Sequence, residues 1–265
     1  MTQTRESEVV LVDRADNVLV ITLNRPRQLN AVNANVAEGV GAALEVLDSD
    51  PSLVVGIITG NGRAFSAGAD LKALAAGQSL DDSKHPEWGF AGLTDHFISK
   101  PLIAAVNGLA LGGGTEIVLA CDLAILGDQA VLGLPEPQRG LFAGGGGAVR
   151  LPRQMPFKLA MEVVLTGEPL SPERALAAGL VNRVVPSDQV LAEALALAAR
   201  IASNAPRSVR TSKMLVHRSM AYGSSWDREV WEVNSRELEA LGASIDAVEG
   251  PRAFADKRPP KWSES

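Results

Sequence analysis

Cysteine occurs once in the 265 residues, at Cys121, which excludes a disulfide framework within the chain and fits a reducing compartment. Aromatic residues make up only 4%, with a single tyrosine, so a core has to be assembled from Ala, Val, Leu and Ile. Histidine is scarce as well. His85, His96 and His217 are scattered and lack the spacing of a metal-binding motif such as H-E-x-x-H, so no metal site is expected and surface or packing roles are assigned to them. No apolar run reaches the roughly 18 residues of a membrane span. The opening stretch from Met1 to Glu8 is polar and lacks the apolar segment of a secretory signal, which makes the cytoplasm the expected location. Positive charge is also short: 25 Lys and Arg stand against 31 Asp and Glu, a net charge of −6. That balance argues against nucleic-acid binding, which rests on a positive field, but leaves room for a small phosphorylated ligand held by a few local cations.

What remains is an ordinary globular composition, 46% hydrophobic and 21% charged, in a chain near the upper size for one core. Val9–Val12 and Val18–Leu23 read as a hairpin, and Val32–Leu47 as a helix with apolar residues at 36, 40, 44 and 47. Leu53–Thr59 reads as a buried strand that ends at Gly60-Asn-Gly62. Arg63–Asp70 reads as a loop before a further helix, and residues 76–87 as a mobile loop. Leu102–Val106 and Asp122–Leu126 are further strands. This alternation predicts an α/β core with right-handed crossovers over residues 1–186. From 187 to 265 the texture is helical, with Val190–Ala202, Pro206–Met220, Ser225–Leu241 and Ile245–Phe254 predicted as helices. Helices alone cannot extend a sheet, so this region is expected to cap the core or to mediate assembly.

Two short stretches concentrate the chemistry. Ile103-Ala-Ala-Val-Asn-Gly-Leu-Ala-Leu-Gly-Gly-Gly-Thr-Glu116 reads as a buried strand, a glycine turn and a helix from Thr115 to Cys121. Gly112, Gly113 and Gly114 remove every Cβ from the turn, so a ligand can approach the backbone, and the first N–H groups of a helix have no partner inside it. Glu116 follows within the first helical turn, where the helix dipole alone would also favour a carboxylate. A second carboxylate, Glu136, comes 136 − 116 = 20 residues later between Pro135 and Pro137. Backbone donors beside two carboxylates suit a reaction that makes an oxyanion and moves protons.

These residues resemble the crotonase, or enoyl-CoA hydratase/isomerase, superfamily. The resemblance runs through Asn24-Arg-Pro26 with Leu29-Asn30, Phe65-Ser-Ala-Gly-Ala-Asp70, Ile103–Asp122, Pro135-Glu136, Gly144–Gly147, Leu165-Thr-Gly167, Ala178-Gly-Leu-Val-Asn182 and Ala253-Phe-Ala-Asp-Lys-Arg258. It implies a ClpP/crotonase-like α/β fold, a β-β-α spiral core with a C-terminal helical trimerisation region, assembled as a homotrimer or a homohexamer built as a dimer of trimers. It implies an acyl-CoA thioester as substrate, with no cofactor beyond the coenzyme A that the substrate carries.

By the same resemblance, the N–H groups of Ala69 and Gly113 form an oxyanion hole for the thioester oxygen, a role in which each donor is worth about 3 kcal/mol. Glu116 and Glu136 match the two glutamates with which family hydratases hold a water against the β-carbon; one takes a proton from water while the other supplies the α-carbon proton. Gly144 matches a backbone contact to that water. Arg27, Arg63 and Lys72 match cations near the CoA phosphates, Ala67 a backbone contact to the adenine, and Phe254 and Lys257 residues that reach CoA, in some members from a neighbouring subunit. Asp70 and Asp122 belong to the motifs as structural residues, and Cys121, with no base partner, reads as a buried helix residue.

The chain departs from the fatty-acid hydratases at Phe142-Ala143, in place of an apolar-Pro pair, and at Leu134, in place of a frequent polar residue. Its C-terminal segment from Glu249 to Trp262 resembles that of carnitinyl-CoA dehydratase-like members. Three readings therefore stand side by side: a 2-enoyl-CoA hydratase, another crotonase-type lyase or isomerase acting on a specialised acyl-CoA, and a CoA-binding assembly protein that has lost catalysis.

Overall fold

Alternation along the second strand explains the layers. In a strand, successive side chains face opposite sides, and the run Val18–Leu23 sends Leu19, Ile21 and Leu23 to one face and Val18 and Val20 to the other, all of them buried. A sheet built from such strands needs a cover on both faces, and the computed structural model, which describes residues 8–263, supplies both. The polar stretch 1–7 lies outside the described residues.

The main sheet has strand order β1 (Val10–Ala15), β2 (Val18–Leu23), β3 (Val55–Gly60), β5 (Leu102–Val106), β7 (Leu123–Gly127), β9 (Arg183–Val185). Only β1 and β2 run antiparallel; the remaining pairs are parallel. A second sheet of three strands, β4 (Ala64–Ser66), β6 (Leu109–Leu111) and β8 (Val131–Gly133), is also parallel. The chain alternates between them: β3, β4, then helix α2 (Leu71–Ala75); β5, β6, then α3 (Gly113–Ala120); β7 then β8. The first strand of each unit enters the large sheet and the second enters the small one, which winds the chain into the expected β-β-α spiral.

On one face, α1 (Ala34–Ser49) inserts Val36, Val40, Leu44 and Leu47, and α3 inserts Ile117 and Val118, against Leu19, Ile21, Leu23, Ile58, Ala104 and Val106. Asn33 caps α1 by accepting from the Val36 N–H at 3.2 Å. At the other end the buried ammonium of Lys100 donates to the carbonyls of Leu47 (2.8 Å) and Asp50 (2.7 Å), where the helix dipole favours a cation. On the opposite face α7 (Val190–Ala202) lays Val190, Ala194 and Ala198, one turn apart, onto Val18, Val20, Val55, Ile57, Ile103 and Ile125. The expected helical region from 187 thus begins with a helix that is a wall of the core.

Three helices, α4 (Gly147–Gln154), α5 (Phe157–Thr166) and α6 (Pro172–Ala177), lead back to β9. After α7 come α8 (Pro206–Ser219), α9 (Arg228–Gly242) and α10 (Ile245–Ala255). α8 buries no residue of its own and is pinned by polar contacts: Lys213 to Asp122 at 2.7 Å, Lys213 to the Lys100 carbonyl at 2.8 Å, and His217 to Asp122 at 3.0 Å. A cavity of about 810 Å³ opens between α8 and the sheet edge, lined by Leu123, Leu180 and Ile201 among others. Trp226, Leu238, Ile245, Val248 and Phe254 are largely exposed on the helical layer. No helix among the described residues is long and apolar enough to cross a membrane.

Several predicted boundaries shift. The loop Arg63–Asp70 contains strand β4, and α3 starts at Gly113 rather than Thr115. Residues 76–85 carry no helix or strand, and Pro86–Trp88 forms a 3-10 turn. His85 takes the packing role. It stacks on Trp88 (centroids 3.9 Å apart), which in turn stacks on His96 (4.3 Å).

Candidate active site

The small sheet assembles the site. Gly112 continues the β6–β8 ladder by donating its N–H to the Gly133 carbonyl at 2.8 Å, at φ 55°. Inside this corner the buried Thr115 hydroxyl accepts from the Gly133 N–H at 2.9 Å and donates to the Ala110 carbonyl at 2.8 Å. These bonds tie the start of α3 to the end of β8, which brings Glu116 and Glu136 into one site although they are 20 positions (136 − 116) apart. A Cβ built on Gly112 would stand 3.0 Å from Glu136 Oε1, so the glycine leaves the room that this carboxylate occupies.

Glu116 is 4% exposed. Its Oε1 accepts the N–H of Gly147, the first residue of α4, at 2.9 Å. Burial pushes its carboxyl above the ordinary range, against the pull of that N–H; the Glu136 carboxylate adds to the rise, and Gly145 and Arg150 oppose it. Burial also raises the Glu136 carboxyl, opposed by its own backbone N–H and by Arg139. Glu136 Oε2 is buried with no hydrogen-bond partner among the described residues. Two carboxyls with raised affinity for protons, one of them with an oxygen free to take a ligand, form a pair fitted to proton transfer.

The donors come from two loops in contact. Gly68, at φ 83°, sits so close to the glycine turn that a Cβ there would be 2.6 Å from the Leu111 carbonyl oxygen and 2.7 Å from the Gly113 nitrogen. Val32 and Ala69 form a parallel bridge, in which the Val32 N–H donates to Gly68 and the Asp70 N–H donates to Val32, both at 2.8 Å. Ala69's own N–H therefore faces away from that bridge. Among the hydrogen bonds of the described residues, neither the Ala69 nor the Gly113 N–H has an acceptor. Two unpartnered N–H groups on touching loops, beside two carboxyls, can receive an oxygen that becomes negative during reaction.

The structure separates the remaining expected residues. Gly144 lies in the loop beside the carboxylates, but its N–H donates to the Phe142 carbonyl at 2.7 Å, while Gly147 takes up the contact to Glu116. Ala67, half-buried, donates its N–H to the Leu29 carbonyl at 2.9 Å, so a contact there would have to use its other atoms. Arg27, Arg63 and Lys72 are exposed on neighbouring segments: Pro26 abuts Gly62, and Asn61 bonds Asn24 at 2.8 Å. Phe254 (88% exposed) and Lys257 (φ 50°) lie at the end of α10, which packs on α9. No hydrogen bond or ion pair among the described residues joins either side chain to the loops of Arg63 and Lys72.

Asp70 and Asp122 are structural in their contacts. Burial alone would raise both, yet Arg25 and the N–H groups of Ala73 and Lys72 hold Asp70 below the ordinary range, and His217 with Lys213 does so for Asp122. Burial drives the Cys121 thiol well up, which makes it a poor nucleophile.

Sequence reasoning missed three participants. Phe90 covers Gly113 with its ring edge, so closely that a Cβ on the glycine could not coexist with it, and it also flanks Gly145. It is held by backbone at φ 69°, 60° and 65° for Gly89, Ala91 and Gly92. Gly147, the donor to Glu116, stands in the sequence only as one member of a glycine run. Arg150, whose guanidinium donates to the Thr94 carbonyl, carries no sequence sign of its place near Glu116. The one sequence sign of Phe90 is an aromatic set between glycines in a chain poor in aromatics.

The sequence model of the family described as enoyl-CoA hydratase/isomerase matches residues 13–265. A carnitinyl-CoA dehydratase of Salmonella arizonae is 42% identical over 260 residues, which cover 97% of this chain and 98% of that protein. The crystal structure of an enoyl-CoA hydratase from Mycobacterium tuberculosis H37Rv superposes with a TM-score of 0.91 at 42% identity, over 98% of this chain and 100% of the other. That of a carnitinyl-CoA hydratase from Mycobacterium avium gives 0.77 at 50% identity, over 97% and 99%. With the spiral fold, the glycine turn and the carboxyl pair in place, these matches identify the chain as a crotonase-superfamily enzyme that belongs to the enoyl-CoA hydratase/isomerase family.

Proposed function

We propose that the protein is a 2-enoyl-CoA hydratase, adding water reversibly across the 2,3 double bond of an acyl-CoA thioester. The observation that carries this reading is the pair of buried Glu116 and half-buried Glu136, its Oε2 buried and unpartnered among the described residues, beside the free N–H groups of Ala69 and Gly113. The two N–H groups receive the thioester oxygen and stabilise the enolate that forms as water attacks the β-carbon. One glutamate takes the proton from water and the other delivers a proton to the α-carbon. Each transfer is worth about 10²–10⁴-fold in rate, and the raised proton affinity of both carboxyls brings them closer to neutral pH, where such transfers are efficient.

Gly147 fixes Oε1 of Glu116, and Oε2, which lies beside Gly145, faces the water. Gly144 borders the water position through the same loop. Arg27, Arg63 and Lys72 hold the CoA phosphates, Ala67 lies against the adenine, and Phe254 and Lys257 close over CoA from the helical layer, from a neighbouring copy in a trimer or hexamer. Residues 1–186 supply the acyl-CoA site and residues 187–265 the assembly surface, with α7 shared between them. The reaction uses no cofactor besides the substrate's own CoA, and the cytoplasm, where acyl-CoA is available, is the proposed location.

A second reading is favoured by the relatives named for carnitinyl-CoA and by Phe142, 75% exposed in the loop between the Glu136 turn and α4: dehydration of a specialised 3-hydroxyacyl-CoA with the same residues. Loss of the conjugated-thioester absorbance with crotonyl-CoA and longer 2-enoyl-CoAs tests the first reading. Turnover is expected with at least one chain length. Folded protein that binds CoA and turns over none of them would overturn it.

A further inference from the structure

Beyond its ion pair with Asp70, Arg25 has been given no part in the reaction, yet its guanidinium is fixed at both ends. Nη1 donates to the Ala31 carbonyl at 2.5 Å and Nη2 to Asp70 Oδ2 at 2.9 Å. The two side chains are only 15% and 13% exposed, so this ion pair is largely screened from water. Asp70 uses its other oxygen to accept the N–H groups of Lys72 and Ala73, both at 3.2 Å, at the start of α2. One carboxylate therefore joins segment 25–32 to α2, and the residue immediately before it is Ala69.

The backbone around this ion pair is woven tightly. Asn30, 1% exposed and at φ 54°, accepts the Arg25 N–H through its side chain (2.9 Å) and donates to the carbonyls of Asn61 (3.0 Å) and Ala64 (2.8 Å). The Ser66 hydroxyl donates to the Asn30 carbonyl at 2.8 Å and accepts from the Gly68 N–H at 3.2 Å. Val32 bridges Gly68 and Asp70 from below. Segment 25–32 is thus the bed on which Ala67–Asp70 lies, and the Arg25–Asp70 pair closes it at the end nearest Ala69. The Ala69 N–H belongs to the Gly68–Ala69 peptide, whose carbonyl accepts from Val32 at 2.8 Å, and a largely buried, two-ended guanidinium on Asp70, the next residue, restrains displacement of that peptide at its C-terminal side in a way that a single point charge does not.

We infer that Arg25 is a positioning residue for the Ala69 N–H, acting through Asp70 to hold that donor at the thioester oxygen. The inference rests on the hydratase reading, because it assigns the N–H its role as oxyanion donor. A donor displaced by about 1 Å can cost about 100-fold in rate, while the cations that meet the CoA phosphates stay where they are. Loss of Arg25 should therefore fall on kcat and spare KM.

The test uses the full-length protein with Arg25→Met, Arg25→Lys and Asp70→Asn, each checked for folding by circular dichroism. Two readouts are taken: kinetics with the best 2-enoyl-CoA, and the absorbance of bound 4-dimethylaminocinnamoyl-CoA, whose band moves to longer wavelength when its carbonyl is polarised. Expected is a fall in kcat of about 10–100-fold for Arg25→Met with KM within about twofold, a bound spectrum shifted back toward that of the free probe, and an intermediate effect for Arg25→Lys, which cannot span both acceptors. If Arg25→Met does not fold, the same ordering is read from Arg25→Lys and Asp70→Asn. Lowered melting temperature with kcat and the band unchanged would make the pair merely structural and overturn the inference. A wild-type protein that neither shifts the probe nor hydrates any enoyl-CoA would instead overturn the hydratase reading, and the inference with it.

Discussion

Replacing Glu116 with Gln separates what this residue does for the reaction from what it does to the fold. The carboxyl is 4% exposed, and burial, aided by Glu136, raises its pKa above the ordinary 4.5. A carboxyl whose folded-state pKa is raised binds its proton more tightly in the native state. Between about 4.5 and that raised value the native protein carries more protons than the unfolded chain, so stability falls as pH increases and is lowest once the group is ionised. Gln presents the same acceptor oxygen to the Gly147 N–H, which now donates at 2.9 Å, and removes the buried charge beside a second carboxylate. Glu116→Gln is therefore expected to gain about 1 kcal/mol at pH 7–8, a rise in Tm of about 2–4 °C, and to lose that advantage near pH 4. Activity should fall about 10²–10⁴-fold, because the amide cannot exchange the proton. Glu116→Ala, which leaves the Gly147 N–H buried and unpaired, should instead lose about 1–3 kcal/mol. Calorimetry across pH with parallel initial rates measures both effects. A Gln variant that is less stable than wild type at every pH, or as active as wild type, would refute the reasoning.

Two further outcomes follow from the charge distribution and the helical layer. Unit charges about 4 Å apart attract by about 4 kcal/mol at an effective dielectric near 20, while repulsion beyond about 10 Å is screened by salt, so a few local cations outweigh a net charge of −6. Neutralising Arg63 and Lys72 together should raise KM for acyl-CoA about tenfold with kcat within about twofold, and should change little for a pantetheine thioester that lacks the nucleotide; loss of kcat on both substrates at unchanged KM would assign these residues to the fold. Trp226, Leu238, Ile245, Val248 and Phe254 are largely exposed on the helical layer, and exposed apolar side chains grouped in this way mark a candidate subunit contact, so light scattering should report a trimer or hexamer, and a monomer at every concentration would contradict the proposed closed assembly.

Strong local signals were legible in the chain. The strands Val18–Leu23 and Leu102–Val106 and the helix Val190–Ala202 fall where apolar patterning put them, because each buries a continuous or regularly spaced apolar face. The glycine turn and Glu116 were visible for a similar reason, since few other demands place three glycines before a helix, whereas the role of Glu136, a carboxylate between two prolines, was legible only through the family resemblance. The small sheet was not legible. Ala64–Ser66, Leu109–Leu111 and Val131–Gly133 are too short to carry a period of two, and their parallel pairing joins residues far apart in sequence. The same separation hid the support of the site. Gly147 reaches Glu116 across 31 positions and Arg25 reaches Asp70 across 45, and nothing in the local sequence of either residue announces its partner. His217 was likewise visible only as a helix residue, since its partner Asp122 lies 95 positions away.

Isotope labelling of the product tests the central claim most directly. With a 2-enoyl-CoA in water enriched in oxygen-18 and deuterium, two carboxyls that add water across the double bond should give a 3-hydroxyacyl-CoA with the heavy oxygen on the β-carbon and one deuterium on the α-carbon, and the label should disappear in Glu116→Gln and Glu136→Gln. A product whose double bond has moved without taking up oxygen would contradict the account, as would full incorporation in both variants.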